Sequence, residues 1–210
     1  RPLLPAKVAV GMAHNLVSPK TGLPSEVIKA SPNADETNAW RLLGTLSNIL
    51  APCVRGGEDA CHQLFKLTAS PDGGKPKTTF QAALAIARHP TANLKPLFKL
   101  GQFMPVYAPS LVDGRQGPDA PNEAMRLDAF TLAIKFNATG RTDKQGRELC
   151  PFGGPGNMVF DLNGYAWITN NVIQGDVVST NCMLVLKPDG SPADGSPADG
   201  GGKTPSSPVF

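Results

Sequence analysis

The chain has 210 residues, room for one large domain or two small ones, and 40% are hydrophobic, enough for a buried core. Its formal charge is +3 and no dense Lys/Arg cluster occurs, which argues against a nucleic-acid-binding surface. No apolar stretch approaches the roughly 20 residues of a membrane span. The 22 Gly and 21 Pro predict many turns, short of outright disorder.

From the N-terminus, "RPLLPAKVAVGMA" lacks an intact signal-peptide pattern, and a signal already removed is compatible with it. Arg1 in place of Met points to a processed chain or a piece of a longer one. In "SPNADETNAWRLLGTLSNILAPCV", Asn33 and Glu36 fit a capping box, in which each side chain satisfies an orphan amide. Trp40, Leu43, Leu46, Ile49 and Leu50 follow at three- and four-residue spacing, one face of a helix that Pro52 and Gly56-Gly57 should end. A second helix is expected through "EDACHQLFKLT". A third, "KTTFQAALAIARHP", has Thr78 or Thr79 as N-cap and a stripe of Phe80, Ala83, Leu84 and Ala87. A fourth, "TANLKPLFKLGQF", brings together Leu94, Leu97, Phe98 and Leu100, and tolerates Pro96 only near its first turn. Short helices with short links predict a small bundle over residues 1–105.

Residues 106–128, rich in Pro, Gly and Asp, read as a connector or ordered surface loop. In "AFTLAIKFN", Phe130, Leu132, Ile134 and Phe136 alternate with Thr131, Ala133 and Lys135, the period of a strand. The stretch "FGGPGNMVFDLNGYAWITNN", residues 152–171, reads as a hairpin. Asp161 is placed to accept turn amides, and Asn163-Gly164 tolerates positive φ. "CMLVLKPDG" supplies a further strand and turn. The expected class is α+β, a helical bundle followed over 129–190 by an antiparallel meander.

Cys53, Cys61, Cys150 and Cys182 form no C-x-x-C pair, which argues against zinc. Cys53 and Cys61 flank a short loop, and Cys150 and Cys182 flank the hairpin. Local pairing in an oxidising compartment is one reading, and four reduced, buried thiols the other. His14, His62 and His89 lie far apart with no partner at ligand spacing, so surface roles are expected and no metal or cofactor is assigned.

The stretch "GGPGNMVFDLNGYAWITNN…MLVLKPDGSP" resembles one blade of the NHL-repeat β-propellers, including the streptogramin-lyase-like branch. Gly156, Asp161, Gly164, Trp167, Asn170, Leu186, Pro188, Asp189 and Gly190 fill the places of the blade pattern over about 40 residues. More weakly, the segment from "GMAHNLVSPKTGLPS" to "ILAPCV" is similar to a helical region preceding the propeller in some bacterial surface or secreted NHL proteins. The resemblance implies structural roles: Asp161 and Gly164 shape a reverse turn, Trp167 fills space between blades, and Asn170 satisfies loop backbone. Propellers have typically four to eight blades, so further blades or a protein partner are expected beyond Phe210 or in another chain.

The tail, residues 191–210, duplicates "SPADG" and reads as a low-complexity linker. Asp189, Asp194 and Asp199 recur every five residues but lack the spacing and closing Glu of an EF-hand loop. No G-x-S-x-G motif nominates a nucleophile. The expected function is that of a non-catalytic interaction or structural module, bacterial and secreted, periplasmic or on the cell surface, with an accessory chain of an envelope assembly as one form of it. A streptogramin-lyase-like enzyme fragment is the alternative. Its activity would need a histidine among the blades, and residues 150–210 contain none.

Overall fold

The computed structural model describes residues 3–70, 72–123, 126–136, 145, 154–170, 182–196 and 198–199. The class is α+β, with helices α1 (Leu3–Leu16), α2 (Glu26–Lys29), α3 (Ala39–Val54), α4 (Glu58–Leu67), α5 (Thr79–Arg88) and α6 (Leu94–Phe103). Strands β1 (Pro155–Phe160), β2 (Ala166–Asn170), β3 (Cys182–Leu186) and β4 (Ala198–Asp199) follow. The chain forms two compact units, residues 28–135 and residues 1–27 together with 136–210. The expected helical stretch 1–105 is therefore shared between them.

In residues 28–135, the core gathers Leu42, Ile49, Leu64, Ile86, Leu97 and Phe98 from α3 to α6. Helices α4 and α6 form over the stretches expected of them, and Pro96 falls in the first turn of α6, where its missing N–H costs no helical bond. Thr78 is the N-cap of α5, its hydroxyl accepting from Gln81 N at 3.2 Å. The buried side of α5 is not the expected one. Ala82 and Ile86 face the core, while Phe80 is 76% exposed and Leu84 and Ala87 lie outside. Two small or branched residues fit closely against α3 and α4, and that packing outweighs the larger apolar area of Phe80.

Two further expectations for α3 are corrected. The helix begins at Ala39 with Asn38 as N-cap, so Asn33 and Glu36 form no capping box. It also runs through Pro52 to Val54 instead of stopping at the proline. Asn33, buried, instead holds Lys135. Its Oδ1 accepts from Lys135 N at 2.8 Å, and its Nδ2 donates to Lys135 O at 2.9 Å. Glu36 pairs with the same lysine, Nζ to Oε2 at 2.9 Å.

Helix α3 is buried on two sides. Beside its apolar face lie Gly44, Thr45 and Asn48, against which residues 106–111 run. Asn48 Oδ1 accepts from Val106 N and Tyr107 N, both at 2.8 Å, and Nδ2 donates to Tyr107 O at 3.0 Å. Thr45 Oγ1 accepts from Leu111 N at 2.9 Å. Gly44 lets Pro109 O approach the helix where any Cβ would collide with it. The expected connector thus contributes buried Leu111 and Leu127 to the core.

The expected strand at 129–137 is absent from its described part. Residues 129–136 belong to no helix or strand, and the alternation survives as burial of Phe130 with partial burial of Leu132 and Ile134. Through residue 135, however, the segment crosses the helices instead of joining a ladder. Phe130 N donates to Pro90 O at 2.8 Å, and Leu132 packs on the helical core. Period two reports which side chains are covered, not which backbone pairs with them.

In the other unit, the four strands form one antiparallel sheet in the order β1-β2-β3-β4. No periodicity marks residues 3–16 in advance, yet they form α1. The first SPADG copy, expected as linker, returns along β3 instead. Leu186 pairs with Pro192, Ala193 N donates to Val185 O at 2.8 Å, and buried Ser196 Oγ accepts from Val185 N at 2.9 Å. Residues 200–210 lie outside the described residues.

Candidate functional site

The blade-like residues lie in two turns of the sheet and on the strands beside them. In the β1–β2 turn, Gly164 N donates to Asp161 O at 3.0 Å, and Gly164 takes φ +81°, a conformation that favours glycine. Asp161 is the centre of this turn. Its Oδ1 accepts from Asn163 N at 2.8 Å and Tyr165 N at 3.0 Å, and its Oδ2 from Trp167 Nε1 at 3.1 Å. The Trp167 bond, followed by the backbone amides, holds the Asp161 carboxyl below its ordinary value against the opposing effect of desolvation. Trp167 is thus tied to its own turn, a contact the spacing D-x-x-x-x-x-W allows but does not announce.

The turn after β3 repeats the device. Gly190 N donates to Lys187 O at 2.8 Å, with Gly190 at φ +79°. Asp189 Oδ1 accepts from Ser191 N at 2.9 Å and Ser191 Oγ at 2.6 Å. Burial pushes the Asp189 carboxyl up, but these two bonds and nearby Lys187 outweigh it and leave the group lowered. Gly156 lies in β1 against Thr169, whose Oγ1 accepts from Asn157 N at 2.9 Å. Asn170 is buried at the end of β2. Both carboxylates organise backbone, the role their turn positions imply.

A concavity of about 630 Å³ lies on one face of this sheet. Met158 and Phe160 of β1 and Ile168 of β2 contribute to its lining, with Met12 and Asn15 of α1, Phe136, and Pro188 and Gly190 of the second turn. Gly190 has a second role here, because any side chain on it would collide with the Phe136 ring. The α1 residues are the part that sequence reasoning missed, since nothing in residues 3–16 marks a ligand.

Cys53 and Cys61 form the expected disulfide, 8 residues apart. Cys182 is also disulfide-bonded, and Cys150 lies outside the described residues. His14, His62 and His89 are exposed on separate segments. Among the described residues, no three His, Cys, Asp or Glu side chains gather at metal-binding distance, and no helix is long and apolar enough to cross a membrane. Comparison with protein-family models, curated proteins and solved structures gives no match for this chain.

Proposed function

We propose that the chain is a non-catalytic module of a secreted or cell-envelope bacterial protein, that it works by protein contact, and that its sheet is one blade of an NHL-type propeller. The observation that carries the reading is the edge strand β1, exposed along all six residues. It presents Met158, Val159 and Phe160, and Leu162 follows at 86% exposure. Residues 155–160 carry no charge to deter pairing. Such an edge is a template for another strand or a neighbouring sheet. A four-stranded antiparallel meander in chain order is also the form of a propeller blade. The Cys53–Cys61 disulfide agrees with an oxidising compartment.

The test is light scattering on the 210-residue protein over a concentration series. Self-association is expected, with β1 amides protected from hydrogen exchange, and Val159→Lys should restore a monomer. A wild-type monomer at every concentration, with freely exchanging β1 amides, would overturn the proposal.

A further inference from the structure

The cavity on the sheet face carries a second assignment, independent of the open edge of β1. Its volume of about 630 Å³ lies within the range of small-molecule sites, roughly 300–1,000 Å³. The lining is predominantly apolar, with Lys187 the only charged residue among the described residues that line it, and Lys187 is already within 3.8 Å of Asp194 Oδ1. Phe136, lying on the Gly190 backbone, supplies an aromatic wall. Met12 and Met158 contribute unbranched thioether chains that adapt to a guest's shape.

Among the described residues, one buried polar group in this lining lacks a partner. Asn15 is only 4% exposed, and its Oδ1 accepts no hydrogen bond from any described residue. A buried acceptor in this state has given up its bond to water without a replacement, which a donor on a guest would supply. The same amide donates from Nδ2 to Pro188 O over 3.4 Å, a long bond, so it can turn toward an incoming donor at small cost. Ser25 Oγ donates to the Asn15 main-chain carbonyl, fixing the backbone beneath the side chain. An apolar cavity with one orphaned acceptor selects for a complementary guest. We infer that the cavity binds a small, uncharged, mostly apolar molecule carrying one hydroxyl or N–H donor, which Asn15 Oδ1 accepts.

The probe is N-phenyl-1-naphthylamine, uncharged, fluorescent when desolvated and equipped with one N–H, compared with its N-methyl derivative, which has none. Titration of the full chain should give saturable one-to-one binding, about five- to tenfold tighter for the N–H compound, as one hydrogen bond to a buried acceptor implies. Asn15→Leu should remove that preference. Met158→Lys, at an exposed lining position, should weaken both probes at least tenfold, while Val159→Lys at the edge should leave both unchanged. If Asn15→Leu fails to fold by circular dichroism, the two-probe comparison on the wild type and the Met158→Lys variant decide. Absence of saturable binding, equal affinity of the wild type for the two probes, insensitivity to Met158→Lys, or loss of binding in Val159→Lys would each overturn the assignment.

Discussion

At the scale of single residues, polar side chains do much of the holding. Asn48 is 1% exposed, and its one carbonyl oxygen accepts two backbone amides of the 106–111 segment. Asn48→Leu keeps similar bulk but leaves Val106 and Tyr107 amides without that acceptor. A loss of about 2–3 kcal/mol is expected, measured by urea unfolding. Asp161 gives a pH prediction whose sign follows from its lowered carboxyl. Its stabilising effect is complete above the ordinary value of 3.8 and is lost as pH falls through the lower folded value. The Trp167 indole N–H resonance should therefore shift with a midpoint below 3.8, and a midpoint at or above that value would show that the bond does not hold the carboxylate.

Among the elements, α6 was legible because Leu94, Leu97, Phe98 and Leu100 recur at helical spacing and Pro96 falls where a first turn tolerates it. The spacing of Cys53 and Cys61 offered a local pair beside the reading of reduced thiols, and the structure forms the pair. The buried face of α5 was not legible, because Phe80 outweighs Ala82 on any hydrophobicity scale and only the shape of the neighbouring helices reverses that order. Asn33 and Glu36 misled for a related reason: their three-residue spacing suits a helix start, while the lysine they hold is 102 and 99 residues away, respectively. At the candidate site, the turn chemistry of Asp161, Gly164 and Gly190 was visible, but the contribution of α1 depends on tertiary placement. Replacing both Cys53 and Cys61 by Ser should cost about 2–3 kcal/mol by loop-closure entropy, seen as a lower denaturation midpoint. Buried Ser196 ties the chain after β3 back to the strand through Val185 N, so Ser196→Ala should speed exchange of the Val185 amide.

For the molecule as a whole, residues 28–135 have their own core, disulfide and side-chain ties. A fragment covering them should fold alone, with helical circular dichroism and a cooperative thermal transition; a non-cooperative melt would contradict this. The other unit draws on both sides of that stretch, residues 1–27 and 136–210. On a ribosome, this arrangement becomes an order of events. Helix α1 emerges early, but the strands of its unit are not complete until more than a hundred further residues have been added, on the order of ten seconds at ordinary elongation rates. The intervening stretch has time to fold first, while Met12 and Asn15 wait for the sheet. The cavity that they line is thus completed only after residues 28–135 have been made.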